Sequence, residues 1–252
     1  TNNIKPILNF LVARQVDGVI WAVPEVGENR KHLQELHKQL SIPIVFLTMD
    51  SRNEMFIVSI DNYQGGRIAT EHLLEQGCKH IGHISGPLTW WESRQRKDGW
   101  HDVLLEAGIP RPKHHWVEGD WSSGSGQQAL LKLLETFSQI DAVFIANDQM
   151  ALGALQIACQ KNIAIPGDIS VVGFDNLPES KYFWPPLTTV SQNLRQLGST
   201  AVIELARIIE SDQLDGAEIQ PKVEILHPEL VVRKSSLKIS NKLSSPSTPT
   251  GL

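Results

Sequence analysis

Unbroken apolar runs alternate with helical periodicities along this chain, and that alternation narrows the possible folds more than any other feature. The runs are GVIWAV (residues 18–23), PIVFL (43–47), FIVSI (56–60), HIGHIS (80–85), DAVFIA (141–146) and ISVVGF (169–174). A strand with one wet face alternates apolar and polar residues. These runs do not, so they predict strands covered on both faces. Between them the spacing predicts helices over residues 4–15, 29–39, 63–76, 91–107, 126–137 and 149–161. Trp100, Val103, Leu104 and Ala107 make one such apolar face. A last helix from Asn193 carries a stripe of Leu194, Leu197, Ala201, Leu205, Ile208 and Ile209. Alternating strand and helix means parallel sheets in an α/β protein. WPPLTTV (184–190) reads as a proline-fixed entry to a short strand. VEILHPELVVR (223–233) reads as a final strand whose proline calls for a bulge or an edge. The Ser-, Thr- and Pro-rich stretch 235–252 reads as a disordered tail.

A length of 252 residues suits one large domain or two modest lobes. The formal net charge of -5 argues against gripping nucleic acid by charge alone. Two cysteines, Cys78 and Cys159, stand far apart without a C-x-x-C pattern, which predicts buried free thiols and no thiolate zinc site. No metal and no cofactor is expected. No secretory leader pattern and no long apolar run occurs, so no membrane partner is expected either.

Parallel sheets bind ligands at the carboxyl ends of their strands. There FIAND ends on Asn147 and Asp148, and VVGFDN on Phe174, Asp175 and Asn176. VSIDN ends on Asp61 and Asn62, HISGP opens into LTWWESRQR with Trp90, Trp91, Arg94 and Arg96, and VEGDW ends on Asp120 and Trp121. Arg96 offers a planar fork of donors, Asp175 can accept from two hydroxyls, and Asn147 can donate and accept. Trp121 offers a flat face to the C–H side of a sugar ring. Vicinal hydroxyls need such fixed donor–acceptor pairs, and a pyranose needs an apolar platform. The set suits a neutral polyhydroxylated ligand better than a phosphate. It holds no nucleophile, base and oxyanion donor acting together, so no enzyme is expected. Each residue also has a plainer reading: Asn147 as a helix cap, Asp175 as a turn former, Trp121 as core, Arg96 as a solvated helix residue.

One motif points elsewhere. Gly124, Gly126 and Ala129 spell G-x-G-x-x-A, the pattern that cradles a dinucleotide pyrophosphate, and Asp148 follows Gly124 at a suitable distance. That fingerprint needs a buried central strand before it, and only Trp116 and Val117 are consecutive and apolar there. The alternative is that Ser122 or Ser123 caps a helix and the glycines let its first turn pack closely.

With these residues in place the chain resembles the effector-binding core of the lactose-repressor/galactose-repressor (LacI/GalR) transcription factors. The matching motifs are DGVI, DNYQGGRIATEHLLEQGCKHIGHISGP, SRQRKDGW, EGDWSSGSG, IANDQMALGAL, IPGDISVVGFDN and PPLTTVSQNLRQLG. The resemblance runs from about Ile4 to Arg233. It implies two Rossmann-like α/β lobes joined by three crossovers, as in type I periplasmic binding proteins. The first lobe would take residues 1–60 and 193–220 and be incomplete. The second would take 61–192 and 221–234, with crossovers near Asp61, Gln192 and Pro221. It implies hydroxyl contacts from Arg96, Asn147 and Asp175, stacking by Trp121 beside Phe174, and a hinge at Gln192. Trp90 and Trp91 stand where members vary with their ligand. The helix with Leu152 and Leu155, together with Tyr182 and Phe183, looks like the family's dimer face. The implied protein is a cytoplasmic, sugar-responsive regulator, a homodimer or dimer of dimers, whose effector is a mono- or disaccharide. It would meet operator DNA only through a headpiece absent from this chain. A periplasmic sugar receptor shares the fold and is the alternative.

Overall fold

The computed structural model describes residues 5–24, 26, 42–50, 52, 54–109, 115–214 and 219–237. In chain order the elements are α1 (Lys5–Ala13), β1 (Val19–Trp21), β2 (Ile44–Leu47), β3 (Phe56–Ile60), α2 (Asn62–Glu75), β4 (Ile81–Ser85), α3 (Trp91–Glu106) and β5 (Trp116–Glu118). There follow α4 (Ser123–Thr136), β6 (Ala142–Ile145), α5 (Asp148–Gln160), β7 (Ser170–Asp175), β8 (Thr188–Ser191), α6 (Leu194–Leu214), β9 (Val223–Leu226) and β10 (Glu229–Val231). The helix expected over 29–39 lies outside the described residues.

The strands form two sheets. One has the order β1-β2-β3-β9 and is parallel throughout. The other has the order β10-β8-β7-β6-β4-β5 and is parallel except where β10 runs against β8. The unbroken apolar runs meet their physical reason here. β4 and β6 are buried at every residue, and β7 at every residue but Asp175. Successive side chains go to opposite faces. Val143 and Ile145 pack with Leu130, Leu133, Ala151 and Ala154, from α4 and α5. Ala142 and Phe144 pack with Leu73, Trp100 and Leu104, from α2 and α3.

His83 belongs to this second layer. Its ring is stacked between Trp100 and Phe144, with centroids 5.4 Å and 4.8 Å away. Nδ1 lies 2.9 Å from the Phe144 carbonyl oxygen, which can only accept, so Nδ1 carries the proton. Burial pushes this imidazole down to about 3, so it is neutral.

Paired glycines set the helix crossings. A Cβ on Gly153 would stand 1.8 Å from the Ser123 carbonyl oxygen, and one on Gly126 would stand 2.1 Å from that of Met150. The backbones of α4 and α5 therefore touch. This decides the G-x-G-x-x-A motif. Gly126 is a crossing residue, and a Cβ on Gly124 would have only the Ser122 Oγ nearby, at 3.9 Å. Ser122 caps α4 by accepting from the Ser125 N–H, and the strand before the motif is the edge strand β5. Neither oxygen at the crossing can retreat without moving a helix. Gly153→Ala will therefore destabilise the fold by about 3 kcal/mol, the upper end of ordinary overpacking costs. Urea unfolding checks this; a change below about 1 kcal/mol would show that the crossing yields easily.

Four expectations are corrected. The final strand is two strands either side of Pro228, because a ring without an N–H cannot continue a ladder. Val223–Leu226 adds to the first sheet and Glu229–Val231 to the second, so the chain crosses between sheets at His227–Pro228 rather than near Pro221. The tail does not begin at 235. Ser235 and Ser236 are fully buried, with Ser235 Oγ accepting from the Thr188 N–H (2.8 Å) and donating to Val171 O (2.6 Å). Residues 238–252 lie outside the described residues. Cys78 is a buried free thiol as expected, but Cys159 is exposed, because it falls on the outer side of α5. Leu155 is core at 4% exposure, whereas Leu152 on the same helix is exposed at 42%.

Candidate functional site

The carboxyl ends of β2, β6, β7 and β8 and the first turn of α3 surround a cavity of about 360 Å³. Trp90, Arg96, Trp121, Asn147, Asp175 and Gln192 all line it. Thr48, Glu92 and Gln149 line it too and were not among the expected residues. Two expected residues do not line it. Phe174 is fully buried beneath the site, and Trp91 is half-buried outside the lining. Strand alternation explains the first: Asp175 faces the cavity, so its neighbour Phe174 must face the core.

Arg96 is a buried cation, 5% exposed. Its guanidinium lies 3.7 Å over the ring of Phe174, a platform that fixes its plane. Nε donates to Asn62 Oδ1 (2.8 Å), and Nη1 donates to Ala146 O (2.6 Å) and lies 3.8 Å from Asp175 Oδ1. Burial opposes its charge, and the carboxylates of Asp175, Glu92 and Asp148 support it. The Asp175 carboxyl is raised by burial, and Arg96 and a hydrogen bond donated by Gln192 Nε2 pull it back.

Asn147 caps α5. Its Oδ1 accepts from the Met150 N–H (2.9 Å), and its Nδ2 donates to Trp121 O (3.0 Å) and Gln149 Oε1 (2.9 Å). The plainer capping reading of Asn147 therefore holds, and the cap stands on the cavity wall. Trp121 rests on Gly86, where a Cβ would come within 2.2 Å of the indole. The Trp90 ring stands nearly perpendicular to it, 73° apart with centroids at 5.7 Å. The Trp121 indole N–H is buried with no hydrogen-bond partner among the described residues.

Backbone strain gathers at this rim. Thr48 (φ 51°), Trp121 (φ 75°) and Asp175 (φ 115°) line the cavity in left-handed conformations, and Asn176 (φ 55°) and Asn193 (φ 46°) adjoin lining residues. Such conformations cost a non-glycine residue about 1–3 kcal/mol and persist only where the surroundings fix them. At Asp175 the fixing groups are visible. Asp148 lies behind it, accepting from the Leu177 N–H (2.8 Å) and from Thr189 Oγ1 (2.6 Å). Arg233 Nη2 donates to Asn176 Oδ1 (2.7 Å). Burial pushes the Asp148 carboxyl up to about 7.

A wider hollow of about 510 Å³ lies beside α4 and β5. Its Asp120, Ser122 and Ser125 hydrogen-bond to one another at the start of the helix, so those groups serve the cap. Among the described residues, no helix is long and apolar enough to cross a membrane.

Two mainly parallel sheets flanked by helices, with a polar and aromatic cavity at their strand ends, define a periplasmic-binding-protein-like core. The sequence matches the periplasmic binding protein-like domain family over residues 70–236. It is 35% identical over 230 residues to the HTH-type transcriptional repressor PurR of Actinobacillus pleuropneumoniae serotype 3, covering 90% of this chain and 66% of the repressor. It is 31% identical to the lactose operon repressor of Escherichia coli, covering 96% of this chain and 64% of that protein. The chain thus spans about two thirds of the length of these relatives. In structure it is similar to the lac repressor dimer bound to operator and the anti-inducer ONPF (TM-score 0.81, 32% identity, 93% of this chain and 68% of that one). It is equally similar to the transcriptional regulator CelR in its cellobiose complex (TM-score 0.81, 29% identity, 92% of this chain and 69% of that one). The chain belongs to the LacI/GalR family.

Proposed function

We propose that this chain is the effector-binding and dimerisation core of a cytoplasmic, LacI-type transcriptional regulator that responds to a mono- or disaccharide. The observation that carries the reading is the convergence of Arg96, Asp175, Gln192, Asn147, Trp121 and Trp90 on one cavity of about 360 Å³, large enough for a small saccharide. The guanidinium and carboxylate supply paired donors and acceptors for vicinal hydroxyls. The two indoles supply apolar surface for the C–H faces.

Two lobes, one around each sheet, would move about the crossings at Asp61, Gln192 and His227–Pro228. Gln192 lies on one crossing and bonds Asp175 in the cavity wall, so it joins effector to hinge. An effector shifts DNA affinity only by binding one lobe arrangement better than another. Exposed Leu152, Tyr182 (78%) and Trp184 (86%) support a homodimer through this side of the second sheet. The repressors to which the chain is related favour the regulator over a transport receptor. A thermal-shift screen of neutral mono- and disaccharides tests the reading. One of them will raise Tm by about 5–10 °C at saturation. A flat response across the panel would end the saccharide assignment.

A further inference from the structure

Ile60 ends β3 and pairs with Leu226 in the first sheet, and Asn62 opens α2, which packs on the second. Only Asp61 lies between them in the chain. Asn62 is 1% exposed, and its side chain spans that joint. Nδ2 donates back to Ile60 O (3.1 Å), and Oδ1 accepts from Arg96 Nε (2.8 Å). The amide can stand in one orientation only, because Nε can only donate and a carbonyl oxygen can only accept. The helix side of this bridge is rigid. A Cβ on Gly66 would stand 2.2 Å from Arg96 O, and one on Gly99 would stand 2.2 Å from Tyr63 O, so the backbones of α2 and α3 touch beside Arg96. The sheet side is held as well, since Ile60 is fully buried in its ladder and the Asp61 N–H donates to Leu226 O (2.9 Å). A turn of the backbone at Asp61 therefore has to change the contact between Ile60 O and Asn62 Nδ2.

We propose that Asn62 is a positioning residue that couples effector binding at Arg96 to movement of the sheets about the first crossing. The inference rests on the effector reading above and extends it, since Gln192 joins Asp175 to the second crossing in the same way. Arg96 stands on the cavity wall, with its guanidinium plane set by Phe174 beneath it and by Asn62 and Ala146 at its edge. Phe174 lies in β7 and Ala146 at the end of β6, both in the second sheet, whereas Asn62 also bonds a residue of the first. An effector that draws on the guanidinium favours one orientation of its plane. That orientation favours one position of the Asn62 amide, and the amide favours one setting of Ile60 O. Movement at the crossing travels back along the same two bonds. These bonds are separable. Aspartate at position 62 keeps an oxygen for Nε and has no N–H for Ile60 O. The neighbouring guanidinium and the amides of the helix start keep it ionised, so no carboxyl proton replaces the lost donor. A coupling residue so altered leaves binding in place and removes its mechanical consequence, whereas a purely structural one would change stability alone.

The test is the separation of two spin labels, one on each side of the crossing, measured by pulsed dipolar spectroscopy. Glu135→Cys on α4 and Glu210→Cys on α6 carry the labels, because both positions are exposed. Cys159→Ser removes the exposed native thiol. Labelled chain is diluted into unlabelled chain, so that distances within one copy are read. The probes are cellobiose, lactose, maltose, trehalose and glucose, and calorimetry gives the affinity of each. With Asn62 in place, a sugar that binds will shift the mean separation. Asn62→Asp will bind it with an affinity changed less than about threefold, and the shift at saturation will fall by at least about half. Asn62→Ala, which loses both bonds, is measured beside it in case the carboxylate unsettles the fold. It will lose the shift and bind at least about tenfold more weakly, because Arg96 is left without its Nε acceptor. Without sugar, both variants will broaden the distribution of separations. An undiminished shift in both variants would remove Asn62 from the coupling and leave the saccharide reading intact. Binding with no shift even in the Asn62 chain would overturn the coupling at its source. Silence from every sugar would overturn the saccharide reading. Ligand-free distributions that broaden in the variants would still support Asn62 as the hold on the crossing, and unchanged ones would overturn it.

Discussion

Asp148→Asn will make the fold acid-labile by about 4 kcal/mol between pH 6.5 and pH 3.8, where the unsubstituted chain changes little from this source. Two buried groups with opposite linkage produce the difference. Asp148 sits at about 7 in the folded protein and at 3.8 in the unfolded chain. Across that interval the folded state holds a proton that the unfolded state has lost, so stability falls as pH rises. The contribution is full below pH 3.8 and gone above about pH 7. His83 does the reverse, at about 3 folded against 6.5 unfolded. The unfolded state takes up a proton that the folded state refuses, so its contribution is full above pH 6.5 and lost as pH falls. Each slope is about 1.4 kcal/mol per pH unit, and they cancel where they overlap, from pH 3.8 to 6.5. Asparagine keeps an acceptor for the Leu177 N–H but removes the titration of Asp148. The slope of His83 then loses the counterweight of Asp148; His72, also lowered by burial, adds to it, and Asp175 and Asp98, raised by burial, subtract from it in both proteins alike. Urea unfolding at pH 4, 5, 6 and 7 reads the prediction directly. Parallel stability curves for the two proteins would refute it.

The fold was legible in the sequence because its strongest signal is the one a two-sided sheet must write. A strand such as Ala142–Ile145, buried at every position, can only be an unbroken apolar run. The misreadings share a different cause. Pro228 breaks a ladder in a way that sequence marks, but which sheet each half joins is decided by distant backbone, β3 on one side and β8 on the other. Ser235 and Ser236 look like tail residues. They are buried because Val171, Thr188 and His72 offer partners that no local pattern reveals.

At the site, the rule of looking at strand carboxyl ends found most of the lining and could have found more. Thr48 directly follows β2, and Gln149 follows the Asn147–Asp148 pair after β6. Glu92 could have been found from its spacing of one helical turn before Arg96. Left-handed backbone at Trp121 was invisible, because tryptophan does not signal it, whereas Asp175 beside Asn176 is a residue type that takes such conformations more readily and reads as a turn former. That strain is imposed from outside the segment, through Gly86 beneath the indole and Asp148 and Arg233 around the Asn176 turn.

Arg96 is where the site and the fold depend on the same atoms, and Arg96→Met separates them. Methionine keeps an unbranched stem over Phe174 and removes every donor. In the absence of ligand the variant loses bonds to Asn62 and Ala146 and leaves Asp175 without its cation, a loss of about 3 kcal/mol or more for a broken buried pair. The Asp175 carboxyl, already raised by burial, rises further and is protonated over a wider pH range. On the saccharide reading proposed above, a hydroxyl then finds no guanidinium to accept from and a weaker acceptor in Asp175. The unsubstituted chain at 100 times Kd gains about 2.7 kcal/mol from its effector, and the variant should gain none at the same concentration. Measuring the ligand-induced increment, rather than Tm itself, cancels the structural loss. An increment preserved in Arg96→Met would mean that the cavity binds saccharide through its indoles and amides, and that Arg96 serves only to hold Asn62, Ala146 and Asp175 in place.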